Sequence, residues 1–147
     1  MTLKLLLGSA ALLSAVLAGF YFAYATVITA ERGAPDGADA MRRMNVAVER
    51  PPFLALFMLG ALLPVVAAIW LVIADGFDAR TVAGVLGALC AVAAFVFTVA
   101  VNVPLNQRLM AGTVEWSEFA RTWGVWNLAR LWLSVVAAVG LAIPALR

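Results

Sequence analysis

The chain has no histidine among its 147 residues, one cysteine, and few charges, with 12% Asp, Glu, Lys or Arg. Without imidazole, the commonest transition-metal ligand, the usual haem axial ligand and the usual general base near neutral pH are missing. One cysteine and no histidine cannot assemble a zinc, copper or iron–sulfur site of ordinary composition, nor can one thiol close an internal disulfide. Cys90 reads instead as a small apolar residue inside a span. The carboxylates are scattered and none falls inside an apolar run, so no metal site is expected. Ten basic residues against eight acidic ones leave a formal charge of +2, too little to argue for nucleic acid. A Walker loop, a GxGxxG turn and a nucleophile elbow are also absent.

What the sequence has in abundance is apolar length. It is 65% hydrophobic, with a mean hydropathy of +1.03, against roughly 45–50% apolar and about 25% charged residues in a soluble domain. A bilayer needs about 17–25 apolar residues per helical crossing. Four runs meet that length: Leu5 to Ala30, Pro51 to Ala74 and Thr81 to Gln107 are uncharged, and Thr122 to Leu146 carries one charge, Arg130. The expected fold is therefore all-α, an integral membrane four-helix bundle with two long polar loops on one face. It forms a single transmembrane domain over residues 1–147, with spans near 5–28, 53–74, 82–103 and 124–145. Lys4, an apolar core and "AYA" at residues 23–25 imitate a signal peptide. The run is much longer than the ~7–15 residues of a signal core, so a retained helix is expected.

The connections are unequal. Residues 29–52 read "TAERGAPDGADAMRRMNVAVERPP". A Gly-Pro-Gly turn opens them, and Met41, Met44 and Val48 then recur at helical spacing until Pro51-Pro52. "DGFDAR" is a tight link that makes spans two and three antiparallel neighbours. Residues 104–124 are again long, and "TVEWSEFARTW" predicts a short separate amphipathic helix with Thr113 as its N-cap. Each long connection holds an asparagine and an arginine close together, Arg43 with Asn45 and Asn106 with Arg108, a faint sign of duplication. Arg32, Arg42, Arg43, Arg50, Arg108, Arg121 and Arg130 fall on the long-loop face, and Lys4, Arg80 and Arg147 on the other. Seven against three puts the long loops in the cytoplasm of a multi-pass cell-membrane protein, with both termini outside.

The main polar signal is "WGVWNLARLW", residues 123–132. A charge at bilayer depth costs at least roughly 2.5–3.5 kcal/mol, so Arg130 either faces the bundle interior or snorkels to the headgroups. Trp123, Asn127 and Arg130 share a helix face at offsets of four and three, with Trp126 beside it. "VNVPLNQRLM" raises a parallel question. Pro104 removes a backbone donor and kinks or ends span three. Asn102 and Asn106 then either bond the freed carbonyls or line a polar pocket with Asn45, Asn127 and Arg130. "FYFAY", residues 20–24, is an aromatic belt, a core, or a wall that stacks a ligand. Met41, Met44 and Met110 read as loop packing, and Glu115 and Glu118 as a solvated helix face.

"MNVAVERPPF", then "NVPLNQRL", then "WGVWNLAR", in this order and spacing, resembles the anthrone oxygenase-like family of small four-helix membrane proteins. On that resemblance Asn102, Pro104, Asn106, Trp126, Asn127 and Arg130 are motif positions, and Asn45 a further one. Characterised members oxidise anthrones to anthraquinones in polyketide pathways without an evident cofactor, so the resemblance implies molecular oxygen as co-substrate and no bound cofactor. For that chemistry Arg130 with Asn127, Asn102 or Asn106 would hold the developing oxyanion, and Glu49, the only carboxylate beside a motif segment, would be the general base. Trp123, Trp126, Asn45 and Tyr24 would bind the flat substrate. The expected partners are membrane lipid and a small aromatic molecule, with room for a homo-oligomer. Two other classes stay open on the residues alone: a non-catalytic small-molecule or lipid-binding protein, and a scaffold subunit whose amides hold helices of a larger complex together.

Overall fold

The computed structural model describes residues 2–146, so Arg147 of the topology count lies outside the described residues. All regular structure among the described residues is helical: α1 (Leu3–Glu31), α2 (Gly37–Val48), α3 (Phe53–Asp75), α4 (Ala79–Phe97), α5 (Val103–Met110) and α6 (Trp116–Ala145). Four stretches, Leu3–Glu31, Phe53–Asp75, Ala79–Met110 and Trp116–Ala145, are long and apolar enough to cross a membrane. Residues such as Leu12, Ile73, Leu86 and Val139 stand exposed around the outside. That is the pattern of helices whose outer faces meet lipid, and the chain is a multi-pass membrane bundle.

Helix α6 is central, packing along α1 on one side and α4 on the other, while α3 closes the ring against both. Between α4 and α6 the backbones touch. A Cβ on Gly140 would lie 2.7 Å from the Ala83 carbonyl and 2.9 Å from Gly87 Cα. Small residues permit such approach, and in lipid the close packing itself drives helix association. This end of the bundle also holds an aliphatic cluster that includes Leu7, Ala10, Ala67, Leu71 and Leu141.

The other end differs from expectation in two places. Span three does not stop near residue 103. The α4 helix passes through a π turn, Thr98–Asn102, in which the Val103 N–H bonds the Thr98 carbonyl five residues back, and continues directly as α5 to Met110. Pro104 has no N–H for the Ala100 carbonyl, and the widened turn makes room for its ring. The third connection contracts accordingly to residues 111–115. The separate amphipathic helix expected there is the first two turns of α6, which starts at Trp116 behind Glu115. Thr113 is no N-cap; its hydroxyl donates to the Arg108 carbonyl at 3.2 Å and closes the end of α5. Helix α2 forms where the methionine spacing placed it, with Met41 fully buried. Arg42 Nε donates to the Leu109 carbonyl at 3.1 Å, tying α2 to the last turn of α5.

Candidate functional site

The two short helices, the π turn and the inner faces of α1, α3 and α6 enclose a cavity of about 520 Å³. Its volume falls within the roughly 300–1,000 Å³ typical of small-molecule sites. The walls are aromatic: Phe20, Tyr21 and Tyr24 from α1, Phe53 and Phe57 from α3, and Trp123 from α6. These rings support one another. Phe20 and Phe53 lie 4.3 Å apart between centroids, and Tyr24 lies 5.8 Å from Trp123.

Arg130 forms the polar end of the cavity. It lies fourteen residues after Trp116, the start of α6, about 21 Å along the axis, and it is only 4% exposed. Burial within the bundle, not snorkelling, therefore describes it. Its Nη1 donates to Thr98 Oγ1 at 3.2 Å, and its Nη2 to Asn127 Oδ1 at 2.9 Å. The guanidinium carbon sits 4.5 Å above the Tyr21 ring and 5.2 Å from that of Trp123. Asn102, with its amide oriented by its neighbours, accepts from Arg130 Nη2 at 3.2 Å and from Trp123 Nε1 at 3.3 Å. All these partners are neutral. A cation taken out of water and met only by dipoles and ring faces keeps much of its desolvation cost uncompensated. Its field is directed at the cavity, where low dielectric strengthens it.

The local structure explains how these groups converge. Thr98 and Asn102 are four residues apart at the two ends of the π turn, which keeps both against α6. Asn127 sits behind Arg130, where its Nδ2 donates to the Tyr21 carbonyl at 2.8 Å and its Oδ1 holds the guanidinium. It thus joins α1 to α6 and orients Arg130 without lining the cavity itself. Asn106, Gln107 and Met110 from α5, and Asn45 and Glu49 from the end of α2, complete the wall. Asn45 Nδ2 and Asn106 Oδ1 are buried with no protein partner. Glu49, exposed at the edge, is the only carboxylate among the lining residues.

Of the residues singled out from the sequence, Arg130, Asn102, Asn106, Asn45, Glu49, Trp123 and Tyr24 share this one cavity. Trp126 does not. It lies about 60° round the helix from Trp123, on the side where α4 packs, with its ring edge-on to Phe97 at 5.0 Å. A sandwich of Trp123 and Trp126 around one ligand is therefore not available, and the facing aromatic surfaces come from α1 and α3. Phe20 and Tyr21, from the aromatic stretch of residues 20–24, line the cavity as well, while sequence reasoning missed Thr98, Phe53 and Phe57. Thr98 precedes Asn102 by four residues, so helical spacing alone would have flagged it. Met110, read as loop packing, lines the cavity rim.

No curated protein and no solved structure matches this chain. The family model described as anthrone oxygenase matches residues 52–140, which take in the π turn, Asn102, Asn106, Asn127 and Arg130 and leave Tyr24, Asn45 and Glu49 outside. With Asn102 and Asn127 bonded to one buried guanidinium, and the match covering more than half its length, the chain belongs to the anthrone oxygenase family.

Proposed function

We propose that the protein is a membrane oxygenase that converts anthrone-like aromatics to quinones, with molecular oxygen as co-substrate and no bound cofactor. The observation that carries this reading is the buried Arg130, met only by neutral groups and facing an aromatic-walled cavity. An anthrone is a flat tricyclic ketone whose central CH₂ is acidic because the enolate formed by deprotonation is fully aromatic. The negative charge of that enolate falls on the former carbonyl oxygen. A guanidinium fixed in advance by Thr98, Asn102 and Asn127 stabilises such an oxyanion without reorganising, which is the most effective form of electrostatic catalysis. Trp123, Tyr24, Phe20 and Phe53 touch in series and form one continuous aromatic wall, against which the tricyclic plane would stack.

The chemistry then balances without a metal or flavin. The base removes one CH₂ proton. The electron-rich enolate passes one electron to O₂, and the resulting radical pair recombines as a carbon-bound peroxide. Loss of water from the peroxide leaves the second carbonyl, so anthrone plus O₂ gives quinone plus H₂O. Glu49 is the base we assign, because it is the one carboxylate on the cavity wall. The apolar walls keep water from competing with Arg130 for the anion.

We further propose that α2 and α5 face the cytoplasm. Arg130 belongs to the site, so it drops out of the topological count. Arg32, Arg42, Arg43, Arg50, Arg108 and Arg121 then stand against Lys4 and Arg80, six to two among the described residues. Surrounding lipid would deliver so apolar a substrate.

The test is oxygen uptake with quinone absorbance followed in parallel, after an anthrone is added to chelator-treated protein in detergent. Arg130→Leu is the control, since anthrones also oxidise slowly unaided. Turnover by the wild-type protein that the variant lacks is expected. Equal rates would overturn the oxygenase reading, and substrate bound equally well but never converted would make the cavity a binding site.

A further inference from the structure

A second groove lies on the lipid-facing side of the same end, between α1 and α6, with a volume of about 190 Å³. Arg32, at the end of α1, and Arg121, in the second turn of α6, stand at its upper end. Ala25, Ile28, Val125 and Leu128 line the rest. Both helices run from arginine to apolar residue in the same direction. Arg32 to Ala25 and Arg121 to Leu128 each span seven residues, about 10 Å of axis. The cations therefore sit at the boundary and the apolar walls descend into the hydrocarbon.

Nothing among the described residues neutralises these two cations. Among the described residues neither arginine takes part in an ion pair or a hydrogen bond, and the groove is lined by no carboxylate. Glu118, the nearest acid on α6, faces Arg108 at 3.9 Å instead. Gly124 marks where the Arg32 guanidinium lies against α6: a Cβ at that position would stand 3.4 Å from Arg32 Nη2, in ordinary contact. The Thr29 hydroxyl is occupied by the Ala25 carbonyl at 2.7 Å and leaves recognition to the arginines.

We propose that this groove holds one anionic phospholipid, its phosphate between the Arg32 and Arg121 guanidinium groups and an acyl chain along Ala25, Val125 and Leu128. Two guanidinium forks match a phosphate better than any other lipid group. A basic pocket between spans at the membrane boundary is a recurrent anionic-lipid site. A zwitterionic headgroup would bring its own cation against the pair. The groove is separate from the aromatic cavity, and the inference stands whether or not the protein oxidises anthrones.

Native mass spectrometry of the detergent-purified protein, offered equal phosphatidylglycerol and phosphatidylcholine, tests it. One phosphatidylglycerol should be retained in preference. Arg32→Gln and Arg121→Gln should each weaken retention roughly fivefold, and together about thirtyfold. Gly124→Leu, which keeps both charges but fills the groove, should also weaken it. Arg32→Lys with Arg121→Lys should keep much of the retention, showing that charge and not folding is what the glutamine pair removes. Unchanged retention by the glutamine pair, or phosphatidylcholine held as tightly, would overturn the proposal. So would complete displacement of the lipid by millimolar inorganic phosphate, which would make the pair a free-anion site.

Discussion

The two ends of this bundle are built by opposite rules. Where α4 meets α6 near the hairpin, glycine and alanine bring backbones together, and Gly87 and Gly140 leave space for nothing else. At the other end the core is made of Ile28, Met41, Leu109, Phe119 and Trp123, and it borders a cavity of about 520 Å³. Small side chains remove volume between helices, whereas flat rings on separate helices hold the helices apart and enclose a space. The comparison teaches that stability and site formation can be assigned to different ends of a very small membrane protein. The aliphatic end fixes the helices, and the aromatic end can then tolerate a buried cation that contributes little to stability itself.

The sharpest way to break the contrast is at Arg130. Arg130→Leu should lower turnover by about a hundredfold to a thousandfold, the loss expected when an oxyanion partner is removed. Its thermal midpoint in detergent should not fall, because an incompletely compensated buried charge leaves with the side chain. Turnover retained within a few-fold would separate Arg130 from the chemistry.

At the close-packed end the reverse is expected. Gly140→Leu forces side-chain atoms into the Ala83 carbonyl and Gly87. It should cost about 1–3 kcal/mol or more as overpacking, seen as a drop in the midpoint of unfolding followed by circular dichroism. In the variant that remains folded, turnover per folded molecule should be unchanged. An unaltered midpoint would show that the contact is looser than the geometry implies.

A subtler change is Pro104→Ala. It restores the backbone donor that the π turn has adapted to, and loss of the extra residue in that turn would rotate α5 by about 100° relative to α4. Asn106 would leave the cavity wall while the fold survived. The expected loss of turnover is about tenfold to a hundredfold, as for a misplaced positioning group. Wild-type activity would show that the turn is only a packing device. Trp126→Phe should matter least. Turnover should stay within about twofold, and stability should fall by about 1 kcal/mol as the edge contact with Phe97 is weakened. A large loss of turnover would return Trp126 to the site.

Much of the site is legible in the sequence alone, for a definite reason. Arg130 and Asn127 interrupt an apolar run, and Asn102, Asn106 and Asn45 lie where runs meet polar connections. Such groups are costly in lipid and so stand out. Phe53 and Phe57 were hidden, and Tyr21 left undecided, because an aromatic ring in a span is equally at home facing lipid, core or cavity, and only neighbouring helices decide which. Trp126 was misassigned for a related reason. Helical spacing puts it near Trp123, but it cannot reveal that α4 occupies that side.

The sequence by itself determined the number of spans, the end of the bundle at which polar groups gather, and which residues share a face of one helix. These follow from hydrophobic length and a period of 3.6, properties of a single segment. The tertiary structure alone decided that Arg130 is buried among neutral partners, that span three runs on through a π turn into α5, and that Tyr24 rather than Trp126 faces Trp123. Those facts depend on how helices distant in sequence rotate and lean against one another. That rotation is set by close packing of glycines and rings, which no periodicity within one helix encodes.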